Sequence, residues 1–430
     1  MTSEQQIDSP TATVGSTIAV PRWRSLAEGL NGRHNSFGII RLVLASAVIF
    51  SHAFPLGGWG EDPLLAHSLG QENVGGIAVL GFFAISGYLI AKSGLTADPI
   101  QFIWRRILRI FPAYLVVLVV AAFVIGPIAW MIGGHSIGSY LSLGPAGPVQ
   151  YVLLNADLNI RQWGVYDIFA STTPYGAIGG PVFNGSIWTL TYEWGSYLII
   201  WILLIFGVLQ RAKFLVLIIT GFYFVAELAS RIVPGSAGLI LPYFGDHYRV
   251  SLPLIFLYGA CLALYAKRVP LDWRLAALAA IVATLTLWKG GLTVLGYPAI
   301  TYLVMWLAAA LPRRFHWIGA KNDYSYGIYL YGFLIEQFLA FLGVYRWGYI
   351  PFTLASLAVS AGFAWLSWHG IEKRSLALKD WGPGRGFRPW VESVRGRINS
   401  RPKRVASGKA APTTTSGALQ TSSPAAAPVE

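Results

Sequence analysis

The sequence RLVLASAVIFSH places Arg41 and His52 eleven positions apart in one apolar run. At 100° per residue they fall within about 20° of the same helical face and about 16 Å apart along the axis. An ionisable group in such a run is costly to bury and is by default a functional candidate. The same residues also fit a snorkelling Arg and a hydrogen-bonded structural His. A second run, NGSIWTLTYEW, carries the carboxylate Glu193 a turn or two from its start. Counted at about 1.5 Å per residue, His52 and Glu193 belong to the same half of a bilayer. An imidazole and a carboxylate there could act as an oriented acid/base pair or form a buried structural pair. WRRILRIFPAY brings Arg105, Arg106 and Arg109 within three or four residues of one another, so all three guanidinium groups can share one helical face. Bidentate guanidinium donors suit phosphate oxygens, although anchoring to anionic headgroups uses the same residues. Ser86 and Gly87, in GFFAISGYLI, read first as small residues that let helices approach.

The elements that hold these residues follow from composition. Of 430 residues, 55% are apolar or aromatic and 12% are charged, and the mean hydropathy is +0.55. A soluble domain carries about 25% charged residues, so the solvent for this chain is a bilayer. Ten apolar segments approach the roughly 20 residues a spanning helix needs: 37–56, 74–93, 110–131, 187–208, 212–231, 250–266, 272–288, 291–311, 324–345 and 349–370. The expected class is all-α and polytopic, with about ten transmembrane helices.

Charge sets the orientation. With the N-terminus inside, the outer loops hold only Arg161, Arg231, Arg249, Lys289 and Arg346, while every other Lys and Arg except Arg41 falls inside. Bias of this kind predicts that both termini are cytoplasmic. The net charge of +13 then reflects topology, and nucleic acid is not expected as a partner.

The expected organisation is a cytoplasmic segment 1–36, a membrane domain 37–371 and a basic tail 372–430 read as partly disordered. Residues 1–20 are polar and precede the basic stretch, the wrong order for a cleaved signal peptide. The long outer loop 132–186 is rich in Gly and Pro, and loops of that length are usually functional or mobile. One cysteine, Cys261, and seven scattered histidines offer neither a disulfide framework nor metal-ligand spacing, so no metal is expected. His67, His135 and His247 read as loop histidines. Glu227 and Glu336, unpaired in sequence, could be proton sites or partners for arginines.

Taken together, these residues resemble the acyltransferase family 3 membrane proteins, which include O-acetylases of bacterial glycans. The resemblance covers about residues 35–375. It rests on Arg41 and His52; on Phe82, Phe83, Ser86, Gly87, Tyr88 and Leu89; on Arg105, Arg106, Arg109, Pro112 and Tyr114; on Asn184, Ser186, Trp188, Thr189, Leu190, Glu193 and Trp194; and on the SYGIYLY element from Ser325 to Tyr331. Two departures stand out. Many relatives carry a second His after that last element, where this chain has Gly332. Some also carry an esterase-like domain after the last helix, where this chain continues as a short basic tail; if a second, polysaccharide-assembly protein completes the transfer, it is a separate partner.

The resemblance implies transfer of an acyl group, acetyl foremost, from acyl-CoA to a sugar hydroxyl in a bacterial inner membrane. It assigns Arg105, Arg106, Arg109, Ser86 and Tyr114 to the donor, and Arg41, His52 and Glu193 to catalysis. Asn184, Trp188 and Tyr192 are assigned to the glycan acceptor, with membrane lipids as surroundings. His52 would act as general base or carry the acyl group itself. A transporter or export subunit using Arg41, Glu227 and Glu336 as pathway residues is the alternative.

Overall fold

A computed structural model describes residues 23–32, 35–141 and 144–387, with 389 and 392. The described residues form helices and no strand, with one isolated bridge between Ser25 and Pro270. Residues 1–20 and the tail expected to be disordered from about 401 lie outside them.

Ten principal helices coincide with the ten apolar segments: α1 (Phe37–Leu56), α2 (Val74–Gly94), α3 (Pro99–Val120), α4 (Thr189–Ile205), α5 (Phe214–Ile232), α6 (Tyr248–Leu264), α7 (Trp273–Lys289), α8 (Tyr297–Ala310), α9 (Ser325–Phe341) and α10 (Tyr349–Ser367). Among the described residues, six are long and apolar enough to cross a membrane: α1, α2, α3 with its extension to Ile132, α5, α8 from Leu292, and α10 with its extension to Asp380. The other four are 17 residues each, about 26 Å at 1.5 Å per residue, at the short limit for a span. Side chains such as Val43, Leu217, Ile218, Leu278, Ile281 and Leu354 stand exposed on the outside of the bundle, as lipid-facing residues do.

Helix α3 begins eleven residues before the apolar segment that marks it, because Asp98 caps its first turn through the N–H groups of Ile100 and Gln101 and Pro99 occupies the first position. Arg105, Arg106 and Arg109 therefore lie within the helix and not at its start. The chain after residue 371 folds back onto this end of α3. Trp104 Nε1 donates to the Leu378 carbonyl, Gln101 to the Gly384 carbonyl, and Arg105 pairs with Asp380. The stretch 132–186, expected as a mobile or functional loop, carries three short helices (Ile137–Tyr140, Pro148–Asn155 and Gly176–Gly179). It buries Tyr151, Phe169 and Phe183 in the main core. The Tyr114 hydroxyl of α3 donates to the Asn155 carbonyl at 2.6 Å, which ties this cap to the bundle.

Helices α2 and α6 cross closely. A Cβ on Gly87 would lie 1.8 Å from the Phe256 carbonyl oxygen, and one on Gly259 2.2 Å from that of Ala84. Small residues at such a crossing let backbones touch. Gly87, and not Ser86, is thus the packing residue of the pair, which leaves Ser86 free to face elsewhere. Gly87→Ala should lower the melting temperature of the detergent-purified protein, at a cost of about 1–3 kcal/mol or more for overpacking against backbone. Gly221→Ala on α5, where a Cβ meets nothing within 4 Å, should leave it unchanged.

Candidate active site

Two cavities lie within the bundle. The first, of about 260 Å³, is lined by Arg41, Arg105, Arg106 and Arg109 together with Ser86, Glu193, Tyr197 and Tyr326. The second, of about 220 Å³, is lined by His52, Glu72, Asn73, Ser186, Trp188 and Tyr248 among others. Val79, Thr189 and Tyr329 line both, so the two chambers stand against a common wall.

The arginine chamber is organised by a carboxylate. Asp323, just before α9, accepts from Arg41 at 2.6 Å and from Arg109 at 2.7 Å through the same oxygen, while Ser325 donates to its other oxygen at 2.5 Å. Burial alone would raise its pKa, but the two guanidinium groups outweigh it and hold the Asp323 carboxyl well below the usual range. Arg109 also stands 3.8 Å from Glu372 and lies over the Tyr326 ring. Arg105 is paired with Asp380. The three guanidinium groups that the spacing crowds on one face are therefore not equivalent. Arg106 makes no ion pair among the described residues. It lies over the rings of Phe102 and Tyr197 at 5.6 and 5.9 Å, and its Nε is buried without a hydrogen-bond partner. A cation held by aromatic faces and without a direct ion pair is suited to receive an anionic ligand.

Glu193 belongs to this chamber. Its Oε1 accepts from the Tyr197 hydroxyl one turn on, and from Ser86 Oγ at 3.2 Å. No hydrogen bond or ion pair joins it to His52 among the described residues, so the acid/base pair expected from the sequence is not formed here. His52 faces the other chamber, its ring edge-on to Phe333 at 5.2 Å and its Nδ1 buried without a partner. The carboxylate that shares that chamber is Glu72. Burial pushes the Glu72 carboxyl up to about 7, against the pull of Arg231.

The turn between α1 and α2 positions both groups. Asp62 accepts from Ser51 of α1 at 2.6 Å and from the Val74 N–H at the start of α2 at 2.9 Å, and it caps the short helix Pro63–His67. Asn73 caps α2 through the Gly76 N–H. A carboxylate and a capping amide thus fix the residues flanking Glu72, beside His52.

The other expected site residues are distributed differently. Trp188 lines the His52 chamber and packs on Tyr248 with ring centroids 4.5 Å apart. Tyr192 lies outside both linings and donates to Asp246 at 2.5 Å. Asn184 is buried, with its amide donating to the Leu330 carbonyl of α9 at 2.8 Å. Tyr114 is buried against the cap and away from both cavities. These three residues brace the frame around the chambers. Glu227 pairs with Arg231 at 2.9 Å and faces His247 at 3.4 Å, while both oxygens of Glu336 are buried without a hydrogen-bond partner. His135 stacks on Trp130, and His67 is bonded to the Pro63 carbonyl.

Sequence reasoning missed Asp323, Glu72 and Tyr329. A signal for Asp323 was present: an acidic side chain among the basic residues of the same membrane face, in a chain with only 19 Asp and Glu. Glu72 gave none, since it reads as a loop acid, while Tyr329 stood inside the SYGIYLY element but was given no role of its own.

Residues 34–369 match the family described as an acyltransferase domain. The chain belongs to acyltransferase family 3. It is 29% identical over 357 residues to an O-acetyl transferase of Shigella phage Sf6, a likeness covering 80% of this chain and 96% of that protein. It is also 30% identical over 394 residues to Nodulation protein 10 of Rhizobium leguminosarum bv. viciae, covering 82% and 96%. No solved structure matches it. The acyltransferase is thus a helical membrane enzyme, and among its described residues no cluster of His, Cys, Asp or Glu is arranged to hold a metal ion.

Replacing Asp323 by Ala leaves two guanidinium groups in the arginine chamber without their shared counter-ion. Breaking a buried pair in this way costs about 3–5 kcal/mol, so the purified variant should melt well below the wild type. Because the folded-state pKa of Asp323 is depressed, the stabilisation is present above the ordinary carboxylate pKa of about 4 and disappears as pH falls below it toward the folded value. The melting difference between wild type and Asp323→Ala should shrink over that acid range.

Proposed function

We propose that the acyltransferase transfers an acyl group, acetyl foremost, from cytosolic acyl-CoA to a hydroxyl of an extracytoplasmic or lipid-linked glycan. The reading that goes with it has ten membrane crossings, both termini in the cytosol, and residence in a bacterial inner membrane. The observation that carries the proposal is the pair of abutting chambers, one lined by arginines and the other by an imidazole. The relative named as an O-acetyl transferase supports oxygen as the acceptor atom.

CoA brings several phosphate charges, and the guanidinium most open to them is Arg106, with Arg105 able to exchange its exposed partner Asp380, 62% accessible, for a phosphate. Arg41 and Arg109, fixed on Asp323, give the chamber its positive floor. Ser86 and Tyr197 hold Glu193 as the chamber's internal acid. In the other chamber Trp188 and Tyr248 offer apolar faces to a sugar ring, and His52 takes the proton from the attacking hydroxyl. The sugar oxygen then forms a bond to the thioester carbon, the C–S bond breaks, and the CoA sulfur leaves as thiolate and accepts the proton from His52. Asp62, whose charge acts on His52, and Glu72, when ionised in the same chamber, favour the imidazolium that forms between these steps.

The test is transfer of label from [¹⁴C]acetyl-CoA to glycan by the enzyme in proteoliposomes. His52→Ala should lose about 10²–10⁴ in rate, the usual worth of a positioned general base, with the folded amount unchanged. Arg106→Ala should raise the KM for acetyl-CoA about tenfold or more, since a hydrogen bond to a charged group contributes about 1.5–3 kcal/mol. Full transfer by His52→Ala, or an unaltered KM in Arg106→Ala, would overturn the corresponding role.

Ionisation of Glu72 supplies a pH dependence. Activity should rise with pH through about 7, and Glu72→Gln should flatten this rise at the level of the acid limb. A wild-type rise that persists in Glu72→Gln would assign the titration to another group.

A further inference from the structure

Donor and acceptor chambers meet at Val79, Thr189 and Tyr329. Of these, Thr189 and Tyr329 carry hydroxyl groups, and they are bonded to each other at 2.5 Å across the interface of α4 and α9. The Tyr329 hydroxyl also reaches the Ser186 carbonyl oxygen at 2.8 Å. The ring is held edge-on to Phe82 of α2 with centroids 5.8 Å apart, so the phenol is anchored in the wall on three helices. An acyl group held by its CoA in the arginine chamber and attacked from the His52 chamber must have its carbonyl in this wall.

We propose that Tyr329 is a catalytic residue, whose hydroxyl turns from the Ser186 carbonyl to the thioester oxygen and stabilises the charge that develops there. The inference rests on the acyl-transfer reading above. When the sugar oxygen adds to the carbonyl carbon, the C=O π electrons move onto the carbonyl oxygen and the phenol donates a hydrogen bond to it without surrendering its proton. The oxyanion then collapses, re-forming C=O and expelling the CoA sulfur, and Tyr329 returns to Ser186. A donor already in place in a water-poor wall, aimed where charge appears, needs no reorganisation at the moment of reaction. Ser86, a hydroxyl assigned to the donor, is engaged with Glu193 and Tyr197. Val79 completes the wall as its apolar member, so its size sets whether the carbonyl can enter.

The experiment measures acetyl transfer, acetyl-CoA binding by equilibrium dialysis, and melting temperature on the full chain in detergent or proteoliposomes. Tyr329→Phe keeps the ring and removes the donor. It should lower kcat about 10²–10³-fold, the usual loss on removing one such donor, while the KM for acetyl-CoA and its dissociation constant change less than about threefold. Val79→Trp should abolish transfer while acetyl-CoA still binds, because the wall is plugged and the arginines of the donor chamber are left in place. Tyr329→Phe with wild-type kcat would overturn the proposal. So would a kcat loss accompanied by weakened donor binding and a lower melting temperature, since that is the signature of a structural phenol. Normal transfer by Val79→Trp would show that the acyl group does not pass this wall. Wild-type enzyme unable to transfer label from acetyl-CoA would instead remove the functional reading itself, and His52→Ala run in parallel keeps the two failures apart.

Discussion

Arg41 and Arg109 stand on different helices, and neither could remain charged in an apolar bundle without a partner. Both close on one oxygen of Asp323, which ties α1 and α3 to the start of α9 electrostatically, beside the apolar packing of α1 on α9. The arginine chamber depends on this shared carboxylate. With two guanidinium groups paired there and Arg105 matched by Asp380, Arg106 is left without a direct ion pair among the described residues, lying over aromatic faces with Glu193 as the acid that acts on it across the chamber. A chamber with one underused cation can attract an anionic ligand and still be stable when empty.

The same economy of charge divides the chemistry in two. His52 and Glu193 lie on different sides of a wall made by Val79, Thr189 and Tyr329. Glu193 is satisfied by the hydroxyls of Tyr197 and Ser86, and His52 shares its space with Glu72. Under the proposed function, separating a chamber for phosphate from one for a hydroxyl would let each be lined for its own ligand, with the reacting carbonyl as the part that spans them. The cap built from residues 132–186 and the close crossing at Gly87 and Gly259 hold the surrounding helices rigidly enough for such a wall to keep its position.

Much of this was legible one residue at a time. Each of the ten apolar segments overlaps a helix, and six of these helices are long and apolar enough among the described residues to cross a membrane, where backbone polar groups must be satisfied internally. The Arg41 and His52 stripe follows from helical periodicity alone, and the arginine cluster was visible from its three- and four-residue spacing. Spacing could not show that Arg109 is claimed by Asp323 more than 200 positions later, nor that Arg106 is left without a direct ion pair. Counting along α1 and α4 placed His52 and Glu193 in the same half of a bilayer, yet the linings divide by depth: Gly75, Gly76 and Ser186 lie on the His52 side, and Ser86, Glu193 and Tyr197, further along α2 and α4, lie with the arginines.

Local sequence, then, determined the solvent, the helices, the face of each helix and the family, because those follow from hydropathy, period and short motifs. Which charges neutralise one another, and which carboxylate accompanies the imidazole, was decided only by tertiary packing. So was the wall that the acyl group must meet. Each of these depends on where one helix is set against another, and that placement is made by contacts between residues far apart in the chain.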